Sequence, residues 1–126
     1  MRHDTKITLQ ELKQEITDFR VEREWTQYSD PYDIAAAISI EASELLELFL
    51  WKKPAEVQAL FAENGAFVER VSEEIADIMA FCLVFSHATG IDLSNAITEK
   101  MKKNAIKYPV DEVKGNRRAI DKSARK

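Results

Sequence analysis

Two apolar stripes at helical period, each interrupted by a pair of carboxylates three residues apart, constrain this chain more than any other feature. In Glu41-Ala-Ser-Glu44-Leu-Leu-Glu47-Leu-Phe49 and Glu73-Glu74-Ile-Ala-Asp77-Ile-Met-Ala-Phe81, Glu41 and Glu44 share one helical face, as do Glu74 and Asp77. Ala37 and Ile38 precede Glu41 by four and three residues, and Leu45 and Leu48 follow it by four and seven; Val71, Ile78 and Phe81 bracket Glu74 in the same way. The acids therefore face where the apolar residues face. A single Glu on an amphipathic helix is ordinarily solvated, but the same spacing with the same apolar flanks in two helices argues against that for the set. Unpaired carboxylates taken out of water are costly, so four converging ones need protons, basic partners or metal ions. Hard divalent cations suit an all-oxygen set best. Glu47 and Glu73 lie about 100° or more around their helices from the nearest of these acids and read as rim groups.

Helix is favoured throughout. Only three Gly and three Pro punctuate the 126 residues, Ala, Glu, Lys, Ile and Leu are abundant, and no segment alternates as a strand does. The expectation is an all-α bundle of four to five helices in one domain, residues 1–113, followed by a basic tail, 114–126. Helix 1 runs from about Leu9 to Glu24. A loop over Trp25-Thr-Gln-Tyr28-Ser-Asp30 leads to helix 2, which Asp30 caps, Pro31 opens and Pro54 follows, ending near Trp51. A short helix covers Ala55 to Ala62, broken by Asn64-Gly65. Helix 4 spans Phe67 to His87 with Gly90 as its C-cap residue, and helix 5, capped by Asp92 or Ser94, continues to Tyr108 before Pro109. Helices 2 and 4, lying antiparallel, bring the acid pairs to matching depth.

Charge and cysteine content exclude several classes. The net charge is −4, yet the stretch from Lys114 to Lys126 holds six basic residues against Asp121 alone, so the body is strongly acidic. Such a body is a poor polyanion binder, which argues against a nucleic-acid partner. The lone Cys82 sits in the apolar run after Asp77; it reads as a buried thiol and fits a reducing cytoplasm. The amino-terminal residues lack an apolar signal core and no stretch is long enough for a membrane span, so a soluble protein without a membrane partner is expected. His3 and His87 form no nucleophile pair with a Ser or Cys. A di-iron centre would need Glu-x-x-His pairs, which neither acid pair supplies. A helical interaction protein with salt-bridged carboxylates is the non-enzymatic alternative.

Helix 5 adds Lys100, Lys103, Asn104, Lys107 and Tyr108 at offsets of three, four, seven and eight, which puts most of them along one side. Basic residues there complement the helix dipole; beside a metal site they would also hold phosphate oxygens.

Four segments in order, Glu41-Ala-Ser-Glu44-Leu-Leu-Glu-Leu-Phe49-Leu-Trp51, Glu74-Ile-Ala-Asp77, Gly90-Ile-Asp92-Leu and Lys100-Met-Lys-Lys-Asn104-Ala-Ile-Lys107-Tyr108-Pro109, resemble the MazG-like all-α nucleoside triphosphate pyrophosphohydrolases. The resemblance is greatest to the small dCTP-pyrophosphatase-like branch and covers about Glu22 to Gly115. It implies a helical bundle assembling as a homodimer or homotetramer, and hydrolysis of a nucleoside triphosphate, expected to be a dNTP, between the α- and β-phosphates. It also implies Mg²⁺, with Mn²⁺ as the substitute, on Glu41, Glu44, Glu74 and Asp77. The catalytic base is then Glu44, with Glu41 as second choice. Lys100, Asn104, Lys107 and Tyr108 match the family's basic helix, and Trp25 and Trp51 match aromatics near the base.

The chain departs from its relatives ahead of helix 2. Where they often read Trp-x-Gln-Phe-His-x-Pro-x-Asn, this chain has Trp25-Thr-Gln27-Tyr28-Ser29-Asp30-Pro31-Tyr32-Asp33, with Ser29 for His and Asp33 for Asn. Asp33 lies one turn before Ala37 and two before Glu41, so it is expected to face the nucleoside and to favour a base or sugar group that donates hydrogen bonds.

Overall fold

The computed structural model describes residues 3–116, and among them the chain is helical with no strand. Most of the basic tail, from residue 117 onward, lies outside the described residues. Among the described residues six helices form, together with one short 3₁₀ turn.

Local chemistry sets most of the boundaries. Helix α1, Leu9–Glu22, opens on a capping box: the Thr8 hydroxyl accepts from the Glu11 N–H at 3.2 Å, and the Glu11 carboxylate accepts from the Thr8 N–H at 2.7 Å. Such a cap stabilises a helix by about 1 kcal/mol. The sequence pattern carries this helix on to Glu24, but it ends at Glu22. Glu24 turns left-handed at φ 55, and the expected loop is a 3₁₀ turn, Trp25–Tyr28. Helix α2, Pro31–Glu47, starts as expected, with the Asp30 carboxylate accepting from the Tyr32 N–H at 2.8 Å and Pro31 in the first turn. It stops four residues short of Trp51. The amides of Leu48 and Phe49 bond back three residues, to Leu45 and Leu46, and Trp51 adopts φ 64.

Helix α3, Pro54–Glu63, and helix α4, Gly65–Thr89, meet at Asn64 alone, whose side chain accepts from the Phe67 N–H at 3.0 Å. Helix α4 therefore begins two residues before Phe67. It ends on Gly90 at φ 72, a left-handed cap that suits glycine. Ser86, the one fully buried polar residue described, donates to the Ile91 carbonyl and ties down the turn beyond this cap. Helix α5, Leu93–Lys107, is capped by Asp92. A one-turn helix α6, Val110–Val113, corrects the expectation of at most five helices. Pro109 cannot continue α5, yet its fixed φ suits the start of a new turn.

The helices divide at Ile91/Asp92 into two compact units. In the first, α4 is central and packs against α1, α2 and α3, with its most extensive contact to α2. Leu48, Phe67 and Val71 form a buried cluster with Leu45, Phe49 and Leu60 around it. Phe49, Phe61 and Phe67 meet there with ring centroids 5.3–6.3 Å apart, and such pairs contribute about 1 kcal/mol each beyond their burial. Ile34, Leu83 and Val84 are buried toward the other end of the α2–α4 contact. The end of α2 thus lies against the start of α4, and Ile34 shares a cavity wall with Phe81. This is the antiparallel register. In the second unit α5 leaves Ile97, Met101 and Ile106 exposed, and Tyr108 closes it by donating its N–H to the Asn104 carbonyl at 2.8 Å.

Candidate metal centre

The antiparallel register brings carboxylates of both helices together midway between the two apolar ends. Ligand oxygens of Glu41, Glu44 and Glu74 all lie within 4.8 Å of one another. Glu44 is exposed, whereas Glu41 and Glu74 are half-buried. One oxygen of each half-buried acid, Oε2, is closed off from solvent and has no hydrogen-bond partner. A buried acceptor left in that state is costly and calls for a proton or a cation.

Electrostatics agree with that reading. The Glu41 pKa is raised above its ordinary value, first by burial, then by the adjacent Glu44, and further by the charges of Asp77 and Glu74. Glu74 is raised above 4.5 as well, again chiefly by burial, with Glu44, Asp77 and Glu73 adding to it. An ion that holds oxygens at about 2.1 Å spans opposite ligands about 4.2 Å apart. Three oxygens within 4.8 Å of one another are therefore close enough to meet on one hard divalent cation. The donor set contains no sulfur or nitrogen, which favours a hard cation over a soft one.

Asp77 stands apart from this trio. Its charge acts on Glu41 and Glu74, but the residue is exposed and lines a cavity of about 430 Å³ between α1 and α4, with Phe19, Arg20, Trp25 and Phe81 among its walls. A second cavity of about 350 Å³ shares Arg20, Trp25 and Phe81 and adds Tyr28, Asp33, Ile34 and Ala37. Trp25 and Asp33 thus border one space, and Ala37 lies one turn before Glu41. Arg20, Tyr28 and Phe81 were not expected as neighbours of a site. Their separation in sequence carries no local pattern that would group them.

The other expected site residues are Trp51, in the first unit, and the α5 set, in the second. Trp51 is 97% exposed in the turn after α2 and borders neither cavity. Lys100, Asn104 and Lys107 lie on α5 with Tyr108 as its cap residue, and the Lys107 ammonium sits 5.4 Å from the Tyr108 ring centroid. Cys82 is half-buried.

The raised pKa values of Glu41 and Glu74 have a consequence for stability. With the folded value above the unfolded one, protonation stabilises the fold; that stability is fully present below about 4.5 and is lost as pH rises through the folded values. Without divalent cation, Tm should fall over this window, and Glu41→Gln should flatten the fall. Mg²⁺, taking over from the protons, should raise Tm at neutral pH. Melting curves against pH, with EDTA and with Mg²⁺, read this directly; identical slopes for both proteins would show that Glu41 is not the strained group.

Comparisons with known proteins identify the family and the fold. The MazG-like family model matches residues 36–122. The chain is 32% identical over 111 residues to dCTP pyrophosphatase 1 of Rattus norvegicus, covering 86% of this chain and 64% of that protein. It is 30% identical to dCTP pyrophosphatase 1 of Homo sapiens, covering 81% of this chain and 59% of that one. The chain thus spans less than two thirds of the length of these two relatives. A crystal structure of a pyrophosphatase from Archaeoglobus fulgidus superposes with a TM-score of 0.72 at 35% identity, covering 86% of this chain and 99% of that chain. With carboxylates of two antiparallel helices gathered at one point and a family match over most of its length, this chain belongs to the MazG-like family.

Proposed function

We propose that the chain hydrolyses nucleoside triphosphates, dNTPs in particular, between the α- and β-phosphates to give a nucleoside monophosphate and pyrophosphate. The observation that carries this reading is the trio Glu41, Glu44 and Glu74, with two orphaned, solvent-shielded oxygens. The pyrophosphatase names of the relatives support it. Glu41, Glu44 and Glu74 would hold Mg²⁺, or Mn²⁺ in its place, with Asp77 joining from the next turn of α4. When bound, such a cation neutralises the triphosphate and makes its α-phosphorus more electrophilic.

The chain's own groups supply the rest. Glu44, the exposed member, accepts the proton of the attacking water as its oxygen bonds to the α-phosphorus; the bridging P–O bond breaks and its electron pair leaves on pyrophosphate. Glu41 is the second choice for that proton. Trp25 offers a ring face to the base, and Asp33 accepts from a donor on the nucleoside. Lys100, Asn104, Lys107 and Tyr108 are assigned the phosphate oxygens on the family resemblance alone, through charge-assisted bonds. Trp51, 97% exposed in the turn after α2, keeps its assignment as an aromatic near the base on the same resemblance.

The protein is proposed to work in the cytoplasm as a homodimer or homotetramer. No single described helix is long and apolar enough to cross a membrane. The exposed side chains of Ile40, Leu46, Ile97 and Met101 are the apolar surface that assembly would cover. The test is a panel of NTPs and dNTPs with Mg²⁺, resolving pyrophosphate from single phosphate. Pyrophosphate with the matching monophosphate is expected, from a species that scatters light as a dimer or larger; release of single phosphate, or of nothing, would end the proposal.

A further inference from the structure

We infer that Arg20 is a positioning residue for the nucleoside cavity, clasping the Trp25–Tyr28 turn to α1; the inference rests on the nucleotide reading above. Arg20 occupies the last turn of α1. Its Nη2 donates to the Trp25 carbonyl at 3.0 Å and to the Ser29 hydroxyl oxygen at 3.2 Å. These acceptors stand at the first residue of the 3₁₀ turn and just past its last. Two N–H groups on one planar guanidinium nitrogen diverge at a fixed angle, so bonding both acceptors fixes the spacing of the two ends of the turn.

The turn needs such a clasp. Glu24, which leads into it, holds a left-handed φ of 55, and no side chain caps it. A non-glycine residue there is strained and relies on its surroundings to stay in place. Gln27 bonds the Glu24 carbonyl at 3.0 Å, but that bond stays within the segment and does not anchor it to a helix. Anchoring comes from α1, through Arg20 and through the edge-on contact of Phe19 with Trp25 at 5.8 Å. Trp25 is 43% exposed, so one part of its ring is held while the other borders the cavities. Arg20 lines both of those cavities, whereas the carboxylate trio stands on α2 and α4. Releasing the clasp should therefore loosen the base-binding wall without moving the acids. Ser29, the second acceptor, lies nine residues from Arg20, so the clasp joins the end of α1 to the start of α2.

The experiment uses Trp51→Phe as the common background, which leaves Trp25 as the sole tryptophan of two. Arg20→Ala should raise KM roughly tenfold or more, as loss of a charged hydrogen-bond pair does, with kcat held within about twofold. Trp25 emission should shift to the red as the ring gains water. Arg20→Lys should fall between, because one ammonium keeps the charge but not the fork, and Ser29→Ala should show a smaller rise in KM. Unchanged KM and emission in Arg20→Ala, or a fall in kcat matching the rise in KM, would overturn the assignment. Should Arg20→Ala fail to fold, Ser29→Ala decides by the same two readouts. If the unmutated protein releases pyrophosphate from no nucleotide, the proposed function fails, and the emission shift alone still judges the clasp.

Discussion

Glu41→Gln and Glu74→Gln should each lower pyrophosphate release by roughly a hundredfold to a thousandfold, because removing a cation ligand forfeits several kcal/mol of transition-state charge stabilisation. Glu44→Gln should lose at least as much, since the same residue is assigned the proton of the attacking water. Asp77→Asn should also lose most of its turnover, but least of the four, because its carboxylate lies outside the trio whose oxygens meet within 4.8 Å. The effect on folding should have the opposite sign. Burial and mutual repulsion raise Glu41 and Glu74, so a neutral amide at either position relieves a cost in the metal-free protein. Turnover at saturating Mg²⁺ and Tm in EDTA separate the two effects. Near-normal turnover in two of the four variants would remove the site as drawn, and a large drop in Tm would mean that the acids hold the fold together.

Local features were legible in the sequence, and features made by distant packing were not. Asp30 with Pro31, Asp92 and Gly90 act over a single turn of chain, so their chemistry is written in adjacent residues. The meeting of Glu41 and Glu44 with Glu74 could also be read, since apolar flanks at helical period state which face each acid shares. Helix α2 stops short of Trp51 for a reason no window of sequence contains: Leu48 and Phe49 are drawn into a cluster with Phe61 and Phe67 from two other helices. Asp77 shares the helical spacing of the other acids, yet it borders the α1 cavity, and the place of α1 against α4 has no period to announce it. The Arg20 clasp is of the same kind. It joins residues nine apart through a left-handed turn at Glu24 that a non-glycine residue does not advertise.

In the unmutated protein, dCTP and dATP should be cleaved better than dTTP and dUTP, by roughly tenfold to a hundredfold in kcat/KM. Asp33 borders the cavity of about 350 Å³ together with Trp25 and Tyr28, and Ala37 of the same wall lies one turn from Glu41. A base stacked on Trp25 would therefore present its edge within reach of Asp33 while its triphosphate runs toward the carboxylate trio. A carboxylate accepts hydrogen bonds and cannot donate them. The exocyclic amine of cytosine or adenine satisfies it, whereas O4 of uracil or thymine sets two acceptors against each other, a mismatch worth about 1–3 kcal/mol when water is excluded. Asp33→Asn supplies an amide that donates as well as accepts, so it should narrow the gap chiefly by improving dTTP and dUTP. Equal kcat/KM for dCTP and dTTP would end the idea. Asp33 would then be a first-turn acid of α2 whose work is to complement the helix dipole.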